Sequence, residues 1–325
     1  MTILIYALGG GWGHVTRAAA LSRAIGPAAR VRILANSPYL QIVQAARSAH
    51  TAGETPELEI EAVTTREEAA SRISEEKPDV LVVDTFPRGL GGELAELLPS
   101  LRALKVLIHR DLRPEYVSWA DLRAFVAARY DCVLCPGERG PLADLAQAFV
   151  TAPWLVRAPV TVKPGVDVVV CAGGNAEEMP WYGEVAALLA RDVSVRCLAP
   201  ELPPGCPPEL WIRYWPSIDW IASAGAVVGG AGYNTVNECL ALSVPLIARP
   251  WPRKYDRQRL RAEQCPNATI VETPDEAARA ALDALARPRI PPAFTNGADE
   301  AAQWIRFEEG IAPWLTVPIA KQYSG

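Results

Sequence analysis

The chain of 325 residues has no uninterrupted apolar stretch of ~18 residues, the length a membrane-spanning helix needs, so no transmembrane segment is expected. It has no cluster of basic residues either. With a net charge of −5 and a pI near 5.4, it offers no field that would gather a polyanion, and nucleic acid is set aside as a partner. No lysine follows a glycine turn in the manner of a P-loop. Acids are missing from the first fifty residues, which hold five Arg and reach their first carboxylate at Glu54. That composition imitates a transit peptide, but Ile3 to Leu8 reads as a first strand running straight into a glycine turn, so the segment is expected to belong to the fold. Cysteine is sparse and scattered, seven residues in all. The single Cys-x-x-Cys, Cys132 and Cys135, falls in an apolar strand-like run where alternation would face the thiols oppositely, which predicts buried spectators rather than a metal or redox pair. This usage suits a reducing, cytoplasmic setting better than a disulfide framework.

What is present is enough apolar material for two cores. Half of the residues are apolar, and at ~150 residues per domain the length predicts two domains. Strand-like runs at Ile3 to Leu8, Val31 to Ala35, Leu58 to Val63, Val80 to Asp84, Leu104 to His109 and Cys132 to Cys135 alternate with helical stretches such as Val15 to Ile25 and Arg66 to Glu76. Alternation of this kind builds a parallel sheet from βαβ units. Ala152 to Gly165 holds three Pro and no helical period, and reads as a linker. Alternation then resumes with Asp167 to Cys171, Val193 to Leu198, Trp211 to Tyr214, Ala226 to Val228, Leu246 to Ala248 and Ala268 to Val271. After Pro288 comes a Pro-rich turn, then a predicted helix over Ala298 to Phe307.

Three glycine turns follow strands. The first, Gly9 to Gly13, runs through His14 into a helix carrying Thr16 and Arg17. A dinucleotide fingerprint needs a third glycine where His14 stands and an acid about 20 residues on for the ribose, whereas strand two ends at Asn36; a nicotinamide cofactor is disfavoured. Strand C-termini face the ligand crevice in such sheets, so Asp84 is placed to partner His14 or a substrate hydroxyl, or else to cap the next helix. His109, Arg110 and Asp111 imitate a kinase catalytic loop, but Tyr116 stands where a metal-binding Asn is required and no glycine-rich lid accompanies it. The second turn, Gly173, Gly174 and Asn175, precedes a helix near Pro180 and offers backbone N–H groups to phosphate.

The third turn opens the most informative stretch, Ala226 to Gln258. A short strand breaks into Gly229, Gly230, Ala231 and Gly232 and leads to a helix over about Thr235 to Leu242, whose N-terminus at Asn234 and Thr235 would seat phosphate oxygens. Glu238, one turn further in, can accept from two adjacent hydroxyls such as a ribose presents. Asp256 and Gln258, after the next strand, can bond a second polyol. A sugar, a diphosphate and a nucleoside would lie in a row.

At these residues the sequence resembles the donor-binding signature of GT-B-fold nucleotide-sugar glycosyltransferases, both the bacterial lipid-linked N-acetylglucosaminyltransferase of peptidoglycan synthesis and the plant-type UDP-glycosyltransferases. Trp215, Gly232, Tyr233, Asn234, Thr235, Glu238, Asp256 and Gln258 follow the order of the plant-type signature, in which a Trp stacks on uracil. Two positions depart from it. Gly230 stands where the plant enzymes carry a phosphate-side histidine, and Arg257 opens the Asp-Gln pair; the bacterial enzymes share both traits. The first turn resembles the GGxGH loop of the bacterial enzymes, and its extension Gly13-His14-Val15-Thr16-Arg17 is similar to the GHxxR of a GT-B-fold UDP-sugar hydrolase.

The resemblance implies an α/β protein of two Rossmann-like parallel-sheet domains facing across a cleft. Residues 1–155 would bind the acceptor, 156–297 the donor, and a helix at about 298–325 would pack back on the first domain. It implies a glycosyltransferase that moves a sugar from a nucleotide-sugar, UDP-linked, to a small-molecule or lipid-linked acceptor, with peripheral membrane association in the latter case. His14, with Asp84, would be catalytic, Gly11, Gly13 and Arg17 would line the acceptor side, and Gly173, Gly174, Asn175, Trp215 and the third-turn residues would hold the donor. No cofactor is implied, and the absence of any Asp-x-Asp predicts that no metal is used. A UDP-sugar hydrolase and a non-catalytic nucleotide-sugar sensor are the alternatives.

Overall fold

A computed structural model describes residues 1–48, 58–156, 165–288 and 294–308. Among the described residues, thirteen strands form two all-parallel sheets. The first holds β1 (Thr2–Tyr6), β2 (Arg30–Ala35), β3 (Glu59–Ala62), β4 (Val80–Asp84), β5 (Leu104–Ile108), β6 (Cys132–Pro136) and β7 (Ala148–Thr151), in the order β3-β2-β1-β4-β5-β6-β7. The second holds β8 (Val166–Cys171), β9 (Val195–Leu198), β10 (Trp211–Ile212), β11 (Ala224–Gly230), β12 (Leu246–Arg249) and β13 (Ala268–Ile270), in the order β10-β9-β8-β11-β12-β13. Helices cover both faces, which is why the central strands read as unbroken apolar runs. Ile3 and Ile5 enter one apolar cluster while Leu4 and Tyr6 enter the cluster on the opposite face.

Both sheets have the doubly wound order, and each reverses direction beside its first strand. β1 lies between β2 and β4, and β8 lies between β9 and β11. Loops leaving the C-terminal ends of neighbouring strands at such a reversal splay apart and open a crevice. The first and third glycine turns and the loop after Asp84 all leave strands at these two points.

The halves share one apolar cluster, in which Trp154, Leu155 and Val156 join Trp215 and Ile218 to the residues under the first sheet. Helix Gly297–Glu308 packs on helix Trp12–Ile25 and on β6 and β7. Ala298, Ala301, Ala302 and Ile305 form its buried stripe at helical spacing. Asn296 pins its start by bonding both the N–H and the C=O of Leu155, each at 3.0 Å. Of the linker expected over Ala152 to Gly165, residues 157–164 lie outside the described residues, as do the Pro-rich turn at 289–293 and the expected continuation over 309–325.

Several element boundaries differ from expectation. Helix Trp12–Ile25 begins three residues before Val15, so His14 sits in its first turn. β11 runs on through Gly229 and Gly230, which still pair with Ala248 and Arg249, and the following helix begins at Tyr233. Edge strand β7 escapes the sequence reading because its half-buried residues carry no alternation. Cys132 and Cys135 are both buried, in clusters on opposite faces of the sheet, as alternation predicts. No described helix is long and apolar enough to cross a membrane.

Candidate active site

Because β1 and β4 are neighbours, the helix that follows the first glycine turn passes over the end of β4. His14 and Arg17, three residues apart and so on one helical side, both reach Asp84. His14 Nδ1 lies 2.5 Å from Asp84 Oδ2, and Arg17 donates from Nε to Oδ1 at 2.9 Å and from Nη2 to Oδ2 at 2.7 Å. All three side chains are buried, Asp84 with 0% exposure. Burial alone would raise the pKa of Asp84, but Arg17 and then His14 outweigh it and hold the carboxyl well below the usual range. The pKa of His14 is lowered, chiefly by burial and only partly against Asp84. An ionised Asp84 accepts from Nδ1–H, which leaves the lone pair of a neutral imidazole on Nε2.

Gly9 makes room for that nitrogen. A Cβ there would fall 2.2 Å from His14 Nε2, and the φ of +154° is one that other residues rarely adopt. The turn is held by Asn36, at the end of β2, whose Oδ1 accepts from the N–H groups of Gly9 and Gly10 at 2.9 and 3.0 Å. Phe86 stacks on the His14 ring at 5.7 Å between centroids.

A cleft of about 500 Å³ separates the first glycine turn from the other two. From the N-terminal half, Gly11, Gly13 and Arg17 line it; from the C-terminal half, Gly173, Gly174, Asn175, Gly230, Gly232, Asn234 and Thr235 do. Helix Tyr233–Ala241 points its N-terminus into this space with Gly232 as N-cap and no side chain capping it. Its first-turn N–H groups and positive dipole end are thus left for an anion. In the second turn a Cβ at Gly174 would lie 2.0 Å from Glu178 Oε2, and that carboxylate in turn receives Arg253 Nη2 at 2.8 Å. Arg253 lines the cleft. Among the described residues no group of three or more His, Cys, Asp or Glu side chains is placed to hold a metal ion.

Other residues singled out in the sequence are placed differently from their expected contacts. Trp215 is 4% exposed, its Nε1 donates to Thr16 Oγ1 of the other half at 3.2 Å, and Arg23 covers its ring at 5.4 Å. That leaves little of its face for a base. Glu238 is 2% exposed and stands behind Ser217, whose hydroxyl lines the cleft and donates to Glu238 Oε2 at 2.7 Å. Burial pushes the Glu238 carboxyl up to about 7, against the Ser217 bond. Asp256 does line the cleft, but Arg110 Nη2 and Arg261 Nη2 bond it at 2.9 and 2.7 Å. Gln258 also lines the cleft, with its Oε1 accepting from Trp251 N–H at 3.0 Å.

Arg110 belongs to the N-terminal half, so its bond to Asp256 crosses the molecule. Arg257 pairs with Asp111, Arg261 with Glu138, Leu112 bridges Asp256 in antiparallel fashion, and Arg113 N–H donates to Tyr255 O at 3.0 Å. The kinase-like run is therefore one side of a clasp between the halves. His109 points away from it, buried, its Nε2 accepting from Leu142 N–H at 3.1 Å, and burial with Arg110 depresses its pKa to about 4. Asn36, Ser217 and Arg110 were not legible as site residues, because each acts through a partner 21 or more positions away.

No family model matches this chain, and no curated protein matches it. Solved structures do. The glycotransferase of kitacinnamycin aligns over 94% of this chain and 98% of its own, with a TM-score of 0.60 and 15% identity. SnogD, a glycosyltransferase from Streptomyces nogalater, aligns over 95% and 100%, with a TM-score of 0.57 and 15% identity. The glycosyltransferase SsfS6 of Streptomyces sp. SF2575, complexed with thymidine diphosphate, aligns over 94% and 99%, with a TM-score of 0.56 and 15% identity. The likeness covers both halves, and the fold is GT-B.

Proposed function

We propose that the protein is a glycosyltransferase that moves a sugar from a nucleoside diphosphate donor to a hydroxyl of an acceptor. The observation that carries this reading is the buried array of His14, Asp84 and Arg17 behind the first glycine turn, which reaches the cleft through Arg17, with the uncapped N-terminus of helix Tyr233–Ala241 lining the cleft from the other half. A base and an anion seat contributed by the two halves suit displacement of a diphosphate. Residues 1–155 with the C-terminal helix would serve the acceptor, and 156–297 the donor.

In this reading the diphosphate rests on N–H groups of the helix and of the turn at Gly173 to Asn175, with Arg253 beside it. His14 Nε2 takes the proton of the acceptor hydroxyl as its oxygen bonds the anomeric carbon. The bond from that carbon to the diphosphate breaks, and the nucleoside diphosphate leaves with the electron pair. Asp84 holds the imidazole in its tautomer and stabilises the imidazolium, and Arg17 keeps Asp84 ionised. General-base help of this kind supplies ~10² to 10⁴ in rate. Ser217, backed by Glu238, meets the ribose hydroxyls, and Gln258 with Asp256 faces the transferred sugar. A UDP-linked donor follows from the sequence resemblance, and a TDP-linked one is supported by the thymidine diphosphate held by SsfS6.

The test is to incubate the purified protein with UDP- and TDP-sugars and a panel of hydroxylated acceptors while measuring nucleoside diphosphate release and product mass. Acceptor-dependent release with a glycosylated product supports transfer. Release of free sugar at the same rate without acceptor identifies a hydrolase instead, and binding without any release identifies a sensor.

A further inference from the structure

The cleft has a flat aromatic wall contributed by the half that lacks the donor signature. Trp12, the first residue of helix Trp12–Ile25, and Tyr39, just after β2, stack with ring centroids 4.4 Å apart and planes 5° from parallel. Both line the cleft and both are partly exposed. Their position along the cleft is fixed at two points. Trp12 Cδ1 lies 4.0 Å from where a Cβ of Gly173 would be, so the slab starts at the second glycine turn. Tyr39 feels the charge of Glu201, just past the stretch Leu198 to Pro200 that forms the opposite wall. The slab thus faces the loops after β9 and β10, away from the helix N-terminus that would hold the diphosphate.

Resting on the reading of the cleft as a nucleotide-sugar site, we propose that the donor's base lies against the Trp12–Tyr39 slab, so that the nucleoside is gripped by both halves of the protein. The other cleft aromatics are engaged elsewhere. Trp215 is bonded to Thr16 and covered by Arg23, and Tyr233 is buried with Arg17 and Arg110 over its ring at 5.6 and 5.7 Å. Tyr214 bonds Asp219 through its hydroxyl and meets Trp220 edge-on. From the C-terminal half, Leu198, Ala199, Pro200 and Tyr214 line the same cleft, an apolar surface suited to the second face of a planar ring. A base between the two walls would tie donor binding to the relative position of the halves.

The experiment measures the affinities of UDP, TDP and inorganic pyrophosphate for the full-length protein and for its Trp12→Leu, Trp12→Phe and Tyr39→Leu variants by calorimetry, with thermal midpoints taken alongside. Loss of a base-stacking aromatic weakens binding by about 10- to 100-fold, so Trp12→Leu and Tyr39→Leu should bind both nucleotides that much more weakly. Pyrophosphate affinity should stay within about twofold, and Trp12→Phe should recover most of the nucleotide affinity. Unchanged UDP and TDP binding in both Leu variants overturns the proposal, as does an equal loss of pyrophosphate binding in both. Failure of the unsubstituted protein to bind any nucleoside diphosphate refutes the nucleotide-sugar reading itself, a result distinct from either.

Discussion

His14 Nδ1 and Asp84 Oδ2 lie 2.5 Å apart although 70 positions separate the residues in the chain. The contact exists because β1 and β4 are sheet neighbours, so the loop after one and the last residue of the other meet at the same edge.

If His14 is the base, His14→Ala lowers kcat by about two or more orders of magnitude and leaves nucleotide affinity nearly unchanged. Turnover, affinity and thermal midpoint measured on one preparation decide it. A less stable variant with near-normal turnover would show a purely structural histidine. Asp84→Asn should act on stability as well, because Arg17 keeps its charge and loses its buried partner, at a cost of ~3–5 kcal/mol.

Acid should act through the buried imidazoles. The pKa values of His14 and His109 are lowered by burial, that of His109 to about 4, whereas in the unfolded chain both titrate near the ordinary 6.5. Between those limits the unfolded state binds more protons, so stability present above pH 6.5 is lost as the pH falls through the folded values. For His109 the difference is on the order of 3 kcal/mol. Thermal midpoints should therefore drop from pH 6.5 to 4, and His109→Gln, which keeps an acceptor for Leu142 N–H, should flatten that drop. The acid limb of kcat/KM should lie below pH 6.5, since His14 stays a free base to lower pH than an exposed histidine.

Glu238 should make donor affinity depend on pH near neutrality, well above the range in which an ordinary carboxylate titrates. Its carboxyl is pushed up to about 7 by burial, so it ionises only as the pH rises through neutrality. Ionised, it accepts more strongly from the Ser217 O–H, which leaves the Ser217 oxygen as an acceptor for a ribose hydroxyl. UDP-sugar affinity should thus rise between pH 6 and 8, and the rise should vanish in Glu238→Gln. Ser217→Ala should cost ~0.5–1.5 kcal/mol of nucleotide affinity.

Asp256→Ala should destabilise the protein more than it alters donor recognition. Removing this carboxylate leaves Arg110 and Arg261 without a shared partner in a largely buried clasp, a loss of ~3–5 kcal/mol. A thermal midpoint unchanged from the parent protein, with sugar selectivity altered, would assign Asp256 to the donor instead.

Chelation tests the anion seat. If backbone N–H groups and Arg253 carry the diphosphate, turnover persists in EDTA; complete loss that magnesium or manganese restores would require a metal-borne diphosphate.

Parts of the fold governed by neighbours in the chain follow from local pattern alone. Unbroken apolar runs such as Thr2–Tyr6 and Val80–Asp84 specify buried parallel strands, and glycines after them specify close-approach turns. His14 and Arg17 stand together in the sequence only through the GHxxR resemblance, with Arg17 expected on the acceptor side; that both reach Asp84 depends on the helix beginning at Trp12. Local pattern was also enough to separate Cys132 from Cys135 by face. Roles that depend on partners from distant elements were decided only by the tertiary structure. Trp215 has the spacing of a stacking residue, yet docking of the two halves places Thr16 and Arg23 against it. Asp256 has the spacing of a sugar ligand, yet the same docking brings Arg110 to it across 146 positions. Glu238 sits one turn into its helix as predicted, but the loop after β10 interposes Ser217. Spacing along the chain gives the direction and reach of a side chain; what fills that reach first is set by which elements pack there, and a charged group in a closing interface is bound by the nearest opposite charge before any ligand arrives.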